Sequence, residues 1–189
     1  MVSLGYTDKE FLDLIVKVNL LCPYAFYIVD SFGVMKKKDL IRLFLMVEHN
    51  LEENIRIGYH SHNNMQLAFS NAQALVEEHT IREIIIDTTI MGMGRGAGNL
   101  NTELFSDYLN EGGLYSYNIQ PLLQVSDKVL SRIYTQKYWG YSLPYYVSAS
   151  YNCHPNYASY LADKNSLTVD EMNMILSQYF CVYIRLRTL

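Results

Sequence analysis

Three continuous apolar runs, each followed by an amphipathic segment, dominate the first part of the chain. Runs of this length and composition are typical of strands in a parallel sheet that is buried on both faces. The three runs cover residues 25–30, 55–62 and 82–89. Each contains or ends at a polar residue, and these residues, Asp30, His60 and Asp87, are about 30 positions apart. The repeat predicts three consecutive strand–helix units with right-handed crossovers.

Hydrophobic residues at helical spacing follow each run and predict the helices of these units. They lie in residues 38–50, 65–78 and 102–110. A further helix precedes the first run: Thr7 is its expected N-cap, Glu10 is the reciprocal partner of that cap, and Pro23 ends the helix. A second capping box, formed by Thr168 and Glu171, is expected to open the last helix of the chain.

The strand–helix repeat fits two architectures. In a (β/α)8 barrel the chemistry lies where the strands end, and here each predicted strand ends beside a polar residue or a glycine. An open doubly wound sheet produces the same alternation of strands and helices. The repeat alone therefore predicts an α/β fold and leaves both architectures open.

The pattern changes after Gly112 and Gly113. Helical spacing returns, but an aromatic, turn-rich segment interrupts it at residues 139–146. The predicted helices cover residues 115–138, 147–162 and 169–178. We expect two regions: a strand–helix region in residues 1–112 and a helical appendage in residues 113–189.

Composition and charge argue against several classes of protein. The 189-residue chain has 50% hydrophobic and 18% charged residues, as in ordinary globular domains. Its net charge of −4, with residues 36–38 as the longest lysine run, argues against nucleic acid as the main partner. No apolar run approaches the ~20 residues of a membrane span, and no signal peptide is evident. Three cysteines without metal-type spacing are typical of reduced thiols, so we expect a cytoplasmic protein.

Two histidines with one residue between them end the second predicted strand. Side chains at positions i and i+2 of a strand point to the same face, so His60 and His62 are expected to converge. Such a pair can bind one cation, although isolated H-x-H pairs also occur without a metal. The strand-to-helix context favours a metal site here. We expect Asp30 to orient a neighbouring group by hydrogen bonds rather than to bind metal.

A glycine-rich loop at residues 91–99 follows the third predicted strand. Its glycines would allow backbone amides to approach a substrate closely, and a flexible connection is the other interpretation. They are Gly92, Gly94, Gly96 and Gly98. The loop lacks the Lys-Ser/Thr pair of a nucleotide-binding P-loop and does not match a dinucleotide fingerprint, so a phosphate-binding domain is disfavoured.

Several of these segments together resemble a known family. The sequence YHSHNN of residues 59–64, with Asn71 behind it and Glu103 after the glycine loop, resembles the hydroxymethylglutaryl-CoA lyase and pyruvate carboxyltransferase superfamily. Residues 26–33 resemble the preceding strand of that family, and residues 140–145 resemble a motif of a C-terminal helical domain. The 4-hydroxy-2-oxovalerate aldolase branch fits best, and the resemblance covers nearly the whole chain.

The resemblance implies a partial TIM (β/α)8 barrel, made of the last three βα units, with a C-terminal helical appendage. It implies a lyase that acts on a small 2-oxo acid and gives pyruvate by carbon–carbon bond cleavage, with Mn²⁺ or Mg²⁺ as its cofactor. His60 and His62 match the metal ligands of the family. The positions that match its substrate-binding loop are Gly92, Gly94, Gly96, Gly98 and Asn99.

The chain also departs from the family. The third metal ligand, an aspartate in an arginine-aspartate-glycine context at the end of the first strand, has no match, and neither does the usual base. Tyr141 and Tyr145 are the remaining candidate catalytic residues. The loop also lacks the catalytic cysteine of the CoA-thioester lyases.

These departures lead to an expectation about the chain as a whole. We expect the C-terminal part of an aldolase, either truncated or one half of a two-chain enzyme, that is inactive as a lone chain. The alternative is a non-catalytic half-barrel that self-associates or complements a partner chain. Open strand edges predict a homo-oligomer, and the aldolase branch often works with a dehydrogenase partner docked on the appendage.

Overall fold

A parallel three-stranded sheet forms the centre of the protein. The structure is a computed structural model that describes residues 3–187, with side chains through residue 178. The strands are β1 (Ala25–Asp30), β2 (Arg56–Ser61) and β3 (Ile84–Ile86). β2 lies between the other two strands, and the register aligns Tyr27, Gly58 and Ile85 across the sheet. The three predicted strands are therefore confirmed.

Helices alternate with the strands and then continue alone. The helices of the alternating part are α1 (Asp8–Leu21), α2 (Lys37–Asn50), α3 (Ala68–Val76) and α4 (Thr102–Glu111). Those that follow are α5 (Gln120–Val125), α6 (Ser131–Gln136), α7 (Leu143–Ser150), α8 (Pro155–Asp163) and α9 (Val169–Arg187). A π-helical segment, Ser126–Leu130, joins α5 to α6. Residues 188 and 189, at the end of the expected appendage, lie outside the described residues.

The helices cover only one face of the sheet. Ile28, Ile57 and Tyr59 point to that face and are fully buried in a core shared with α1 to α4. The residues that alternate with them, such as Tyr27 and His60, point to the other face and stay partly exposed. A doubly wound sheet carries helices on both faces, whereas the wall of a barrel carries them only outside. The fold is therefore a partial barrel, and the expectation of burial on both faces is wrong for the inner face.

The connection from β2 to α3 is longer than its sequence suggests. The helix predicted to begin at residue 65 begins at Ala68, because Gln66 adopts a left-handed backbone conformation with φ 56°. The side-chain oxygen of Asn63 accepts a hydrogen bond from the Ala68 amide at 3.2 Å and so caps the delayed start of the helix. This turn carries the chain from the end of β2 back over the sheet.

The helix predicted at residues 147–162 is wrong. The structure has two helices there, α7 and α8, which are separated by a turn in which Asn152 has φ 52°. Pro155 starts α8, and a proline is tolerated in the first turn of a helix but not in its interior. Val147, Cys153 and Leu176 form the small core of this region. Within residues 3–187, no helix is long and apolar enough to cross a membrane.

The two outer strands of the sheet differ in how their edges are covered. On β1, the hydroxyl oxygen of Ser3 accepts a hydrogen bond from the Val29 amide at 2.8 Å. On β3, pairing with β2 extends over only three residues, and a groove of about 1230 Å³ runs beside the strand. Apolar side chains such as Phe105 and Leu114 line this groove. The edge of β3 is therefore the more open one.

Candidate functional site

His60 and His62 lie at the carboxyl end of β2 with their rings next to each other. The ring centroids are 5.4 Å apart, and the ring planes meet at 83°. This proximity follows from their i, i+2 spacing, which places both side chains on the inner face of the sheet. The amide of His62 donates to the carbonyl oxygen of Asp30 at 3.0 Å, so the backbone remains tied to β1 just after β2 ends. The structure thus brings together the two histidines that the sequence singled out.

A carboxylate at the end of the neighbouring strand contacts His60. Nδ1 of His60 lies 3.1 Å from Oδ2 of Asp87, which is within hydrogen-bonding distance. The other carboxylate oxygen of Asp87 accepts a hydrogen bond from the hydroxyl of Tyr27 at 3.3 Å. Sequence reasoning gave neither Asp87 nor Tyr27 a role in this site. Because Nδ1 of His60 faces Asp87, Nε2 is the nitrogen left for a ligand.

His62 is buried and is held as a neutral imidazole. Its Nδ1 lies 3.2 Å from the carbonyl oxygen of Arg95, and its relative exposure is 8%. The pKa of His62 is lowered to about 4, mainly by desolvation and to a smaller extent by the nearby charges of Arg95 and His60, while hydrogen bonds with the loop backbone oppose this shift. A neutral imidazole is the form that binds metals. His62 therefore also presents Nε2, with Nδ1 turned to a protein oxygen.

The glycine-rich loop folds tightly on itself beside the histidines. The amide of Gly98 donates to the Arg95 carbonyl at 3.1 Å, and the amide of Asn99 donates to the Gly92 carbonyl at 2.9 Å. Gly98 has φ +88°, and a Cβ atom there would lie 2.1 Å from the carbonyl oxygen of Gly92. The glycines are thus needed for close backbone packing, and this hydrogen-bonded loop is not a loose connection.

Asn64 fastens the loop to the rest of the sheet. This residue is fully buried, its side-chain oxygen accepts from the amide of Ala97 at 2.8 Å, and its side-chain nitrogen donates to the carbonyl of Phe32 at 2.9 Å. A Cβ atom at Gly96 would lie 2.6 Å from the Asn64 oxygen. Asn64 therefore joins the segments that follow β1, β2 and β3.

Asn99 carries an unpaired oxygen at the end of this loop. Its backbone forms a bridge with His62, and its side-chain nitrogen donates to the carbonyl of Met93 at 3.2 Å. The side-chain oxygen of Asn99 is buried, and among residues 3–178 it has no hydrogen-bond partner. A buried polar atom without a partner is costly unless a ligand or water satisfies it.

Asp30 acts as an anchor for the backbone after β1. Its carboxylate accepts hydrogen bonds from the amides of Val34 at 3.0 Å and Met35 at 2.9 Å. Burial raises the pKa of Asp30, and these hydrogen bonds oppose that rise. The orienting role expected for Asp30 therefore agrees with its contacts, although the groups it orients are amides rather than an imidazole.

Aromatic residues of the helical region differ in whether they contact the glycine loop. The hydroxyl of Tyr145 pairs with Ser159 at 3.0 Å, and Tyr141 is 56% exposed. Neither has a described contact with the histidine pair. Trp139 instead reaches the glycine loop, where its indole nitrogen donates to the carbonyl of Met91 at 2.8 Å.

Two imidazoles lie side by side at the end of β2, and the residue that pairs with the His62 backbone, Asn99, has an unpaired side-chain oxygen among the described residues. Among the described residues, no three His, Cys, Asp or Glu side chains come together in a way that could hold a metal. The chemistry of two imidazoles and an unpaired amide oxygen nevertheless suits an intermediate cation that accepts both nitrogen and oxygen ligands. The residues present would therefore supply part of a metal site.

Comparison with known proteins places the first two thirds of the chain in one family. Residues 3–129 match the HMGL-like family. The 4-hydroxy-2-oxovalerate aldolase of Thermomicrobium roseum is 39% identical over 88 residues, which is 47% of this chain and 23% of that protein. The enzyme of the same name from Geobacillus thermodenitrificans is 30% identical over 137 residues, 70% of this chain and 37% of that protein. The chain thus spans only 23% to 37% of the length of these relatives.

Solved structures agree with a partial barrel. The N-terminal domain of a candidate aldolase from Bacteroides vulgatus superposes with a TM-score of 0.73 at 27% identity, over 87% of this chain and 52% of that chain. The carboxyl transferase domain of Rhizobium etli pyruvate carboxylase superposes with a TM-score of 0.67, over 93% of this chain and 29% of that chain. Because its sequence identity is only 14%, the similarity to this second structure shows a shared fold and nothing more.

Proposed function

Since this chain belongs to the HMGL-like family, we propose that it forms the metal-binding and loop portion of an aldolase that cleaves a 4-hydroxy-2-oxo acid to give pyruvate. The observation that carries this proposal is the paired anchoring of His60 and His62. Each ring turns Nδ1 toward a protein oxygen, at 3.1 Å from Asp87 and 3.2 Å from the Arg95 carbonyl. Both Nε2 atoms are thereby left for one shared cation.

The cation we propose is Mn²⁺ or Mg²⁺. Two imidazoles and the amide oxygen of Asn99 favour Mn²⁺, since Mg²⁺ prefers oxygen ligands alone. When bound, such a cation would act as a Lewis acid on the keto oxygen of a 2-oxo acid and stabilise the charge that develops during cleavage. His62 contributes a neutral ring because its pKa is lowered to about 4 by burial and by neighbouring charge.

We assign the substrate carboxylate to the glycine loop. The amides of Gly94 and Arg95 donate no hydrogen bond within the described chain, so they are free to bind an anion. The guanidinium of Arg95 has no carboxylate partner there either, and its one hydrogen bond, 3.4 Å long, goes to the carbonyl of Ser31. Gly92, Gly96 and Gly98 would shape the loop, and Asn99 would close it against His62.

The site is incomplete in our proposal. A third, carboxylate ligand and a catalytic base would come from residues outside this barrel segment, either in the same polypeptide or in a partner chain. Loss of such charge-stabilising groups costs several orders of magnitude in rate. We therefore propose that the isolated chain is inactive, and docking of a dehydrogenase on the helical region remains a prediction.

A non-catalytic, self-associating half-barrel is the second candidate function. The groove beside β3 favours it, because unpaired backbone groups of an edge strand lie next to exposed apolar side chains such as Leu114. This candidate function requires association of chains but does not require His60 or His62. Metal binding therefore separates the two candidates.

Titration of the purified chain with Mn²⁺, followed by calorimetry or electron paramagnetic resonance, tests the proposal. We expect measurable binding that His60→Gln and His62→Gln each weaken at least tenfold. His49→Gln is the matched control, since His49 lies on α2 with its Nδ1 2.6 Å from the Leu45 carbonyl. Equal affinity in all four proteins would contradict a site at the histidine pair.

A second assay tests separately whether the active site is incomplete and whether the aldolase assignment is right. The purified chain is incubated with a 4-hydroxy-2-oxo acid and Mn²⁺, and pyruvate is measured. We expect no turnover from the chain alone. Pyruvate release that depends on His60 and His62 would contradict incompleteness while supporting the aldolase assignment.

A further inference from the structure

The inner face of the sheet carries a chain of hydrogen bonds that crosses all three strands. We propose that Tyr27 and Asp87 are positioning residues that fix the tautomer of His60, through contacts made possible by the missing side chain of Gly58. The inference rests on the proposed role of His60 as a metal ligand. It assigns functions to a tyrosine and a carboxylate that lie outside the ligand set itself.

Gly58 makes room for the first of these contacts. It lies directly between Tyr27 on β1 and Ile85 on β3 in the strand register. A Cβ atom at Gly58 would lie 2.6 Å from three carbon atoms of the Tyr27 ring. The ring therefore lies against the bare backbone of β2. A side chain at position 58 would push the ring away from the sheet.

The tyrosine crosses β2 to reach the far strand. Its hydroxyl donates to Oδ1 of Asp87 at 3.3 Å, a contact between residues that are 60 positions apart. Burial raises the pKa of Tyr27, and the charge and hydrogen bond of Asp87 raise it further, so the phenol stays protonated and remains a donor. The direction of this hydrogen bond is thereby fixed, with Asp87 as its acceptor.

Asp87 uses its two oxygens on different partners. Oδ1 faces Tyr27 and Oδ2 faces Nδ1 of His60 at 3.1 Å. Because Tyr27 holds one oxygen, the carboxylate is hindered from rotating, and the other oxygen stays directed at the imidazole. With Oδ1 already accepting from Tyr27, Oδ2 is the oxygen placed to accept from His60, so Nδ1 is the ring nitrogen placed to carry the proton. The lone pair of the neutral ring is then on Nε2, where a metal would bind.

Nitrogen-15 NMR of the metal-free chain tests this directly. Histidine-labelled protein is recorded above about pH 8, where an ordinary imidazole is neutral, and the signals of His60 are assigned with His60→Gln. The protonated and bare ring nitrogens have distinct resonances. We expect the Nδ1–H form of His60 to dominate in the unchanged protein, and an Nε2–H majority would overturn the proposal.

Three variants test the residues that form this chain of hydrogen bonds. Asp87→Asn replaces an acceptor with an amide that can donate to Nδ1, so it should increase the Nε2–H form. Tyr27→Phe and Gly58→Ala should increase that form less, by releasing the carboxylate. Tyr108→Phe is the matched control, since it removes a tyrosine–carboxylate hydrogen bond of 3.0 Å to Glu77 away from the histidines. An unchanged tautomer ratio in Asp87→Asn or in Tyr27→Phe would overturn the assigned role of that residue.

Mn²⁺ affinity supplies a second measurement on the same proteins. Loss of a partner that orients a metal-binding histidine commonly weakens affinity by about 10- to 100-fold, and we expect this range for Asp87→Asn. Circular dichroism confirms that each variant is folded before it is compared. Tautomer shifts without any Mn²⁺ binding would support the positioning roles of Tyr27 and Asp87 and would refute the proposed metal site. Failure of the positioning proposal can therefore be distinguished from failure of the proposed function.

Discussion

The indole of Trp139 donates a hydrogen bond of 2.8 Å to the carbonyl oxygen of Met91. Met91 opens the glycine loop and has φ 57°, a left-handed conformation that is uncommon for a residue with a side chain. Trp139 also packs against Tyr134, with ring centroids 4.8 Å apart. The helical region therefore holds the start of the loop in a backbone conformation that needs support from its surroundings.

We expect Trp139→Phe to loosen the glycine loop. The variant keeps an aromatic ring but leaves the Met91 carbonyl without its donor, which should cost about 1 kcal/mol in the free energy of unfolding. Urea titration followed by circular dichroism measures this loss. Hydrogen exchange should become faster at the amides of Gly98 and Asn99, which are bonded within the loop. Tyr138→Phe, at an exposed ring nearby, should change neither quantity.

Two glycine-to-alanine changes should differ sharply in stability. Gly98→Ala places a Cβ atom 2.1 Å from the Gly92 carbonyl at φ +88°, so it should cost more than about 2 kcal/mol. In Gly112→Ala the added Cβ atom would meet the Leu109 carbonyl oxygen at an ordinary 3.6 Å, and φ at this position is −69°. It should be neutral or slightly stabilising. Similar unfolding midpoints for the two variants would show that the loop is not packed as described.

The burial of His62 should make stability depend on pH. Its pKa is lowered to about 4 in the folded state, mainly by desolvation, against about 6.5 in an unfolded chain. Between these values the unfolded chain binds more protons, so stability should fall as the pH drops from about 6.5 to about 4, by at most about 3 kcal/mol.

This pH dependence is measured by urea titration of the metal-free chain at several pH values. His62→Gln should remove the decrease, and His49→Gln should keep it. Burial raises the pKa of Asp30, so protonation of that carboxyl should increase the stability of the folded chain as the pH falls. Comparison with His62→Gln separates this contribution from that of His62. A decrease of equal size in His62→Gln would assign it to other residues.

The groove beside β3 should cause self-association. Light scattering of the purified chain should give a mass above that of a monomer, because an interface there would cover both the strand edge and apolar side chains. Leu114→Lys introduces a charge into the groove at a residue that is 88% exposed, and it should weaken the association. Leu20→Lys changes a residue of similar exposure, 84%, on α1 and should leave the mass unchanged.

Local patterns in the sequence were sufficient for much of the fold. The capping boxes of Thr7 with Glu10 and of Thr168 with Glu171 are both present, since each needs only residues three positions apart. The strand that ends at the histidine pair could be predicted for the same reason. Its period of two determines the face on which the side chains lie.

The contacts that complete the site could not be predicted in this way. The Tyr27–Asp87 hydrogen bond depends on the register of three strands and on the absence of a side chain at Gly58, and none of these is visible in a local pattern. The break between α7 and α8 did have a local signal, because Asn152 and Pro155 favour a turn and a new helix start. Hydrophobic residues continue at helical spacing across this segment, so their spacing alone predicts one helix where the structure has two.

The central position of Asn64 has a consequence for the order in which the protein folds. Its two hydrogen bonds reach Phe32, 32 residues earlier, and Ala97, 33 residues later. Bringing such distant segments together costs loop-closure entropy before any contact is gained. The strand–helix units can therefore form from nearer contacts first, whereas the loop and the histidine pair can reach their final arrangement only after all three units have docked.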